Sequence, residues 1–276
     1  MNLVVQGGVL ASDALVEIAA LARAEATVPL GGTAWRFTGA RPAERIEEWC
    51  ADRRLDCAWV PENRRLADLR LVTMDMDSTL VTIESIDEMG DLLGIREKIA
   101  AVTERAMRGE IDYPESLRRR VALLAGLEEQ QLERICEERM QLSPGAETLV
   151  QRCRELGIRT LLVSGGFSFF TTWLQRRLGI DAVLSNELEI ENRRLTGRVI
   201  GGIVDGAAKA QRLRTEVERL GISRAHALAI GDGANDIPMM GAAGVSIAYR
   251  AKTIVRQHAT HALDYSGLDG VLNLFV

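Results

Sequence analysis

Strands and helices alternate along the chain from about residue 69 onward. The segments LRLVTMD (69–75), IRTLLVSGG (158–166) and RAHALAIGDGAND (224–236) each contain a short apolar run typical of a buried strand, and GAAKAQRLRTEVERLG (206–221) has the pattern of an amphipathic helix. Such alternation places the strands side by side in a mostly parallel sheet with helices on both faces. We therefore predict an α/β fold with a Rossmann-like, doubly wound sheet.

Three further segments complete this predicted sheet. GAETLVQRCRELG (145–157) reads as a helix that Gly157 ends. NELEIENRRLTGRVI (186–200) is typical of a β-hairpin that turns near Asn192, and AAGVSIAY (242–249) is typical of another strand.

About sixty residues without a strand signal separate the first strand from LSPG at 142–145. Apolar residues recur at heptad-like spacing in 85–109 and again in 113–140, which favours helices throughout. We predict an inserted helical cap over 85–141. Because the insertion directly follows the first strand, it is placed to act as a lid over whatever that strand carries.

Residues 1–68 are predicted to form a small α/β unit of the order βαβαβ. Strands are expected at 2–6, 34–38 and 56–61, and helices in 12–24 and 41–54. This part of the chain contains no catalytic constellation, so we interpret it as a packing or dimerisation module, with small-molecule sensing as the alternative. The predicted division of the chain is therefore an N-terminal domain (1–68), a catalytic core (69–84 and 142–276) and the cap (85–141).

Composition excludes several classes of protein. The net charge of −5 gives no basic footprint, so nucleic acid is not an expected partner. No apolar run approaches the roughly 20 residues that span a bilayer, and the first basic residue is Arg23, which argues against a signal peptide. The four cysteines form no CxxC pair, as expected for reduced thiols in a cytoplasmic protein.

Polar residues follow the apolar run of three predicted strands, in the sequences DMDST (75–79), SGGFS (164–168) and GDGAND (231–236). Ligands of open α/β sheets bind beyond the carboxyl ends of the strands, so these sequences should meet at one edge of the sheet. The meeting point would bring together Asp75, Asp77, Ser164, Lys209, Asp232 and Asp236.

Four converging carboxylates repel one another, and a divalent cation removes that repulsion. Ligands that are all oxygen suit Mg²⁺. One carboxylate could then attack phosphorus and form an aspartyl phosphate. Asp75 and Asp77, as residues i and i+2 of a strand, would share a face, so one could be the nucleophile and the other the acid and base.

The sequence also offers donors for a phosphoryl group. Ser164 and the main-chain amides of Gly165 and Gly166 could bind its oxygens, because glycine lets the backbone approach closely. Lys209 could neutralise its charge. Only three of the 34 basic residues are lysines (Lys98, Lys209 and Lys252), so a lysine here suggests a place where a compact ammonium is needed.

The histidines are given no catalytic role. His258 and His261 have a spacing that one helix face could present to a metal, but no carboxylate motif accompanies them, so a surface helix is the favoured interpretation. His226 is expected to pack at the start of its strand.

The sequences DMDSTLV (75–81), VSGGF (163–167) and GDGANDIPM (231–239), together with Lys209, resemble the four motifs of the haloacid dehalogenase-like phosphatases. The predicted cap is similar to that of family members that act on phosphoserine. This resemblance covers residues 70–270 and implies Mg²⁺-dependent hydrolysis of O-phospho-L-serine, the last step of serine synthesis.

The resemblance also implies a role for each matching residue. Asp75 would be the nucleophile and a metal ligand, Asp77 the acid and base and a metal ligand through its carbonyl, and Asp232 a ligand supported by Asp236. Ser164, Gly165 and Lys209 would hold the phosphoryl group. Glu84 would bind the ammonium group of the substrate, and Arg120 would bind its carboxylate, with Arg118 as the alternative. Asn235 would lie near the substrate. Met107 and Tyr113 would form an apolar wall of the closed lid, although the family usually has Phe at the position of Tyr113.

Two alternatives remain open from the sequence. A related enzyme could act on another small phosphomonoester, or transfer the phosphoryl group to an alcohol such as homoserine. A receiver-type switch, phosphorylated on aspartate, combines similar residues but needs neither Asp77 nor a lid. An ion-pumping ATPase shares the aspartyl phosphate but requires membrane spans, for which the sequence has no candidate. A homodimer is a further prediction.

Overall fold

The computed structural model describes residues 1–276, and a seven-stranded sheet forms its centre. The strands are β5 (Leu71–Met74), β6 (Arg159–Phe167), β7 (Ala182–Glu191), β8 (Arg194–Ile200), β9 (Ala227–Gly231), β10 (Val245–Tyr249) and β11 (His261–Leu263). Their order in the sheet is β11-β10-β9-β5-β6-β7-β8, and every pairing is parallel except that of β7 with β8. The predicted doubly wound α/β fold is confirmed.

The central strand β5 is buried along its whole length, with β6 on one side and β9 on the other. Successive strands run outward from β5 in one direction through β6 and in the other through β9, so the chain reverses its winding direction here. Helices that cover the two faces are α7 (Ala146–Glu155), α8 (Ser168–Leu178), α9 (Gly206–Arg219), α10 (Ile237–Ala242) and α11 (Thr253–Arg256).

The segment after β5 is helical, as the apolar spacing predicts. Its helices are α3 (Ser85–Leu92), α4 (Arg96–Met107), α5 (Tyr113–Ala122) and α6 (Glu129–Arg134), followed by one wide helical turn at Ile135–Arg139. Asp112 directly precedes helix α5 and is its N-terminal capping residue, because its side chain accepts a hydrogen bond from the amide of Glu115. Pro114 lies in the first turn of the helix.

The cap is attached to the hairpin β7–β8 as well as to its own chain ends. The amide of Gly126 donates to the carbonyl of Leu195 over 2.8 Å, and the amide of Leu195 donates to the carbonyl of Leu127 over 2.9 Å. The amide of Glu129 donates to the carbonyl of Arg193. The predicted hairpin turn is confirmed, with Asn192 and Arg193 both in the left-handed region.

The N-terminal sheet has the order β2-β3-β1-β4, and all its pairings are antiparallel. Its elements are β1 (Asn2–Gln6), α1 (Ser12–Leu21), β2 (Ala26–Gly31), β3 (Ala34–Thr38), α2 (Glu44–Asp52) and β4 (Asp56–Val60). The predicted order βαβαβ was therefore wrong by one strand. Strand β2 is an exposed edge strand that contains Pro29, and a proline argues against a strand when only the sequence is considered.

Strand β4 also anchors the N-terminal sheet to the rest of the molecule. The buried carboxylate of Asp56 accepts hydrogen bonds from the amides of Asp264 (2.7 Å), Tyr265 (3.2 Å) and Ser266 (2.8 Å), immediately after β11. Val4 and Val60 belong to the same hydrophobic core as the central sheet and the cap. No helix combines the length and the apolar character needed to cross a bilayer.

The surface helix expected to carry both His258 and His261 does not form. Helix α11 ends at Arg256, and His261 lies in β11, where it pairs in register with Ile247 of β10. The Nε2 of His261 lies 2.6 Å from a guanidinium nitrogen of Arg64. The strand HAL (261–263) has only three residues, too few for a periodicity that distinguishes strand from helix. His226 stands directly before β9, as expected.

Candidate active site

The polar sequences that follow β5, β6 and β9 converge at the carboxyl edge of the sheet, where the winding direction reverses. Together with the cap they line a cavity of 660 Å³. A second cavity of 530 Å³, between α8 and the hairpin β7–β8, contains none of the converging carboxylates. The chemistry expected from the sequence therefore belongs to the first cavity.

Lys209 stands at the centre of the converging groups. Its side chain is fully buried in α9, and its Nζ lies 2.8 Å from the Oδ1 of Asp75 and 2.8 Å from the Oδ1 of Asp236. Burial alone would lower the pKa of Lys209, but the charges of Asp75 and Asp236 more than offset this and raise its pKa above the usual value. Lys209 therefore stays charged.

Three carboxylates meet closely enough to share one cation. Carboxylate oxygens of Asp75, Asp232 and Asp236 lie within 4.8 Å of one another, so the strand ends after β5 and β9 do come together. The donor set is all oxygen, which fits a hard divalent cation. Asp236 also stabilises the loop after β9, because its Oδ2 accepts hydrogen bonds from the amides of Asp232 (3.2 Å) and Gly233 (3.1 Å).

Burial raises the pKa of the clustered carboxyls. The pKa of Asp75 lies well above its usual value, first because of burial and then because of the charge of Asp236, although Lys209 acts in the opposite direction. Burial raises the pKa of Asp232 to about 6. Both shifts have the direction expected for carboxylates that are buried close to one another, and a bound cation would favour their charged form.

Asp77 also faces the cavity, but it does not belong to the strand as expected. Strand β5 ends at Met74, and Asp77 lies in an irregular turn in which Ser78 adopts φ +56°. The Oδ2 of Asp77 accepts from the hydroxyl of Ser85 at 2.9 Å. Burial, followed by the charge of Glu84, raises the pKa of Asp77 to about 8, so this carboxyl can hold a proton at neutral pH.

Ser164 and Gly165 interrupt the pairing of β6 with β7. The register shifts between Val163 and Phe167, so Ser164, Gly165 and Gly166 bulge out of the ladder into the cavity. The amide of Gly166 donates to the Oγ of Ser164 over 2.8 Å, which shows that this amide points toward the serine side chain.

The cap contributes the other side of the cavity. Met107, Tyr113 and Arg120 all line it, and the hydroxyl of Tyr113 donates to the carbonyl of Gly165 over 3.2 Å. Arg120 is partly buried and forms no ion pair, whereas its alternative Arg118 is exposed and does not line the cavity.

Glu84 and Asn235 complete the set of residues named from the sequence. Glu84 lies at the cavity beside Asp77, and its Oε1 accepts from the hydroxyl of Ser78 over 2.6 Å. Asn235 lines the same cavity from the loop after β9. Every residue assigned to the site from the sequence, except the alternative Arg118, therefore lies in or directly beneath this one cavity.

The structure adds residues to which the sequence gave no role. The buried Thr79 donates to the Oδ1 of Asp232 over 2.9 Å, and Ser85 holds Asp77. Lys252, at the start of α11, lines the mouth of the cavity. Lys252 stands out in the sequence because lysine is rare in this chain, but the sequence does not show that it lies at the cavity. The hydroxyl residues Thr79 and Ser85 belong to no sequence pattern that would indicate their role.

The chain is similar in sequence to a known protein family. Residues 72–241 match the family model of the haloacid dehalogenase-like hydrolases, and residues 3–47 match a domain described only as of unknown function. The chain is 52% identical over 216 residues to the phosphoserine phosphatase of Albidiferax ferrireducens, a match that covers 76% of this chain and 91% of that protein.

Solved structures show the same overall fold. The unliganded probable phosphoserine phosphatase of Vibrio cholerae superimposes with a TM-score of 0.88 at 34% identity, covering 99% of this chain and 85% of that one. A phospho-aspartyl intermediate analogue of phosphoserine phosphatase superimposes with a TM-score of 0.70 at 34% identity, covering 75% of this chain and 99% of that one. The chain belongs to the haloacid dehalogenase-like hydrolases.

Proposed function

We propose that this hydrolase converts O-phospho-L-serine to L-serine and phosphate through an aspartyl-phosphate intermediate, the last step of serine biosynthesis. One observation carries the proposal. A single cavity contains the carboxylates of Asp75 and Asp77 beside donors for a phosphoryl group. The same cavity is lined by the acid Glu84 and the guanidinium of Arg120, neither of which forms an ion pair within the protein. An amino acid esterified with phosphate needs all of these partners at once. The relatives named above support the same substrate.

In the first step, a carboxylate oxygen of Asp75 attacks phosphorus, and the bond from phosphorus to the serine oxygen breaks. Asp77, which holds a proton at neutral pH, gives it to the departing oxygen, because an alkoxide is a poor leaving group. Ser164, the amides of the bulge after it, and Lys209 stabilise the charge that develops on the phosphoryl oxygens.

In the second step, Asp77 has lost its proton and can accept one from water. The water oxygen attacks phosphorus, the bond between phosphorus and Asp75 breaks, and phosphate leaves with the carboxylate restored. The same side chain serves first as acid and then as base. Ser85 supports this role, because its hydroxyl fixes the orientation of the Asp77 carboxyl.

Substrate selection is assigned to residues around the cap. Glu84 pairs with the substrate ammonium, and the planar fork of Arg120 pairs with its carboxylate. Met107, Tyr113 and Asn235 close the remaining walls. Because Arg120 belongs to the cap and Asp75 to the core, a substrate that reaches both holds the cavity closed and excludes water from the transfer step.

We propose Mg²⁺ as the cation. Asp75 and Asp232 would hold it with their side chains and Asp77 with its main-chain carbonyl, while Asp236 supports Asp232. Bound Mg²⁺ would neutralise the carboxylate cluster and the phosphoryl oxygens.

Steady-state kinetics over a panel of phosphomonoesters tests the proposal. We expect kcat/KM to be highest for O-phospho-L-serine, and lower for phosphoethanolamine, which lacks the carboxylate, and for phosphoglycolate, which lacks the ammonium. A preference for either of these esters would contradict the assignment. Replacing water by homoserine as acceptor, with phosphohomoserine as the measured product, tests the phosphotransferase alternative.

We also propose that the protein is located in the cytoplasm and forms a homodimer. All four cysteines are free thiols, which fits the reducing cytoplasm. A homodimer remains a prediction that light scattering can check.

A further inference from the structure

Asn186 is a buried polar residue whose side chain joins two parts of the active site. It lies in β7 opposite the bulge at Ser164–Gly166, and only 1% of its surface is exposed. Its Nδ2 donates to the carbonyl of Gly165 over 2.7 Å, and its Oδ1 accepts from the amide of Val204 over 2.8 Å. Both ends of the carboxamide are therefore used, and neither partner belongs to its own strand.

We propose that Asn186 is a positioning residue for phosphoryl binding, which acts by fixing the peptide between Gly165 and Gly166. The bulge removes this peptide from the β6–β7 ladder, so no backbone group of β7 determines which way it faces. In a trans peptide the carbonyl and the amide point in opposite directions. With the Gly165 carbonyl held by Asn186, the Gly166 amide is turned toward Ser164, where the phosphoryl group is proposed to bind.

The alternative orientation shows why this matters. Glycine resists rotation of its neighbouring peptides less than any other residue, and this bulge contains two glycines in succession. A flipped peptide would present a carbonyl oxygen to the phosphoryl group in place of a donor. Tyr113 also donates to the Gly165 carbonyl, but it belongs to the cap, so Asn186 is the side chain of the core that holds this carbonyl when the cap is displaced.

The second hydrogen bond of Asn186 is accepted from Val204, which lies just before the helix that carries Lys209. Val204 directly precedes Asp205, which is the N-terminal capping residue of helix α9. The Oδ1 of Asp205 accepts a hydrogen bond from the amide of Ala208 over 2.9 Å. Lys209 lies in the first turn of that helix. One carboxamide thus sets the distance between the two groups that bind the phosphoryl oxygens, the amides of the bulge and the Lys209 ammonium.

This inference rests on the proposed function, and it concerns only the phosphate half of the substrate. Replacing Asn186 should weaken binding of inorganic phosphate, which contacts the bulge and Lys209. It should leave binding of L-serine unchanged, because Glu84 and Arg120 are the expected partners of serine. A side chain that only stabilises the fold would affect both ligands alike or neither.

The experiment uses Asn186→Leu, which keeps the size and removes both hydrogen bonds, and Asn186→Ser. Ser185→Ala is the matched control, since Ser185 is the adjacent residue of β7 and its hydroxyl contacts Thr171 at 2.8 Å. Calorimetry in the presence of Mg²⁺ measures the Kd of inorganic phosphate and of L-serine for the full chain. For both Asn186 variants we expect phosphate Kd to rise at least about tenfold, as for loss of a well-placed anion donor, and serine Kd to stay within about twofold. The Ser185 variant should match the parent.

Phosphate Kd within about twofold of the parent, or equal losses for phosphate and serine, would overturn the inference. If neither variant folds, the ¹⁵N-labelled parent provides the test. Titration with inorganic phosphate should then shift the side-chain amide signals of Asn186, and unchanged signals at saturation would refute the proposal. These readouts do not depend on turnover, so a parent chain that fails to hydrolyse phosphoserine would count against the proposed function and not against the role of Asn186.

Discussion

The hydroxyl of Thr79 donates a hydrogen bond to the Oδ1 of Asp232 over 2.9 Å, although the two residues are 153 positions apart in the chain. Thr79 follows β5 and Asp232 follows β9, so the bond connects the turn that carries Asp77 with the loop that carries the third carboxylate. The other carboxylate oxygen of Asp232 accepts no hydrogen bond and is available to the proposed cation. Thr79 thus orients the carboxylate that we propose as a metal ligand.

We expect Thr79→Val to weaken Mg²⁺ binding about tenfold, as loss of a hydrogen bond to a metal ligand commonly does. Valine keeps the shape of the buried side chain, so the fold should persist. The measurement is the Mg²⁺ concentration at half-maximal activity, together with calorimetric titration. Thr82→Val, at an exposed position in the same turn, is the control and should behave as the parent. Equal Mg²⁺ affinity in both variants would remove the role of Thr79.

Asp77→Asn should reduce kcat for phosphoserine by about 10²-fold to 10⁴-fold, because the carboxamide cannot donate or accept the proton of the reaction. Asp87→Asn is the matched control, since Asp87 is another carboxylate at the same cavity. Quench experiments with ³²P-labelled substrate report both turnover and labelled protein. A variant with unchanged kcat would show that Asp77 is not the acid, and a parent that retains a stable phosphoryl label would instead favour the receiver-type switch.

Arg120→Ala should raise KM for phosphoserine about 30-fold, since a hydrogen bond between charged groups is worth about 2 kcal/mol. KM for an aryl phosphate, which has no carboxylate, should stay within about twofold of that of the parent. Arg118→Ala, two positions away on the same helix and exposed, should change neither value. Equal losses for both substrates would mean that Arg120 supports the fold of the cap.

Lys252→Ala should lower kcat/KM about threefold to tenfold at low ionic strength, with little change at high salt, since the effect is one of long-range attraction. The cavity mouth is lined by several acids, among them Glu84, Asp87 and Glu104, and a dianionic substrate must pass them. Lys98→Ala removes an exposed lysine that does not line the cavity and is the control. A loss that does not depend on salt would contradict this electrostatic role.

Stability should depend on pH through His261. Burial and then the charge of Arg64 lower the pKa of His261 to about 4. Between the ordinary value near 6.5 and pH 4, the unfolded chain binds a proton that the folded chain does not. The stabilisation is therefore fully present above pH 6.5 and is lost as the pH falls through this window, by up to about 3 kcal/mol.

Urea unfolding at pH 7 and pH 4.5 measures this effect. His261→Gln, which can still accept from Arg64 but does not titrate, should lose this component of the pH dependence, whereas His258→Asn at the exposed position nearby should keep it. A parent whose free energy of unfolding changes no more than that of His261→Gln would contradict the prediction.

The sequence predicts the fold and the meeting of the strand ends because both depend on local patterns. Apolar runs and helical periodicity define β5, β6, β9 and the cap helices, and the rule that parallel strands end at one edge brings Asp75 to Asp232. The doubly wound α/β class is confirmed. The division into three domains and the individual roles of the site residues remain predictions.

The features that the sequence missed depend on contacts between distant segments. Strand β2 was overlooked because it contains Pro29, which argues against a strand, and His261 was assigned to a helix because a strand of three residues is too short for a detectable period. Asp77 was placed on the strand, although the chain leaves the ladder after Met74. Asn186 lies within a hairpin that was correctly predicted, but only the fold shows that its side chain faces the bulge of another strand.

The hydrogen bonds between the cap and the hairpin β7–β8 restrict how the cavity can open. Three backbone bonds hold Gly126, Leu127 and Glu129 beside Leu195 and Arg193, and these would have to break if the cap lifted away as a whole. Rotation about this line of bonds leaves them intact and widens the cavity, which Met107 of the cap and Asn235 of the loop after β9 both line. Substrate and product would then pass through a single slit on the side away from the hairpin, and phosphate, being innermost, would leave after serine.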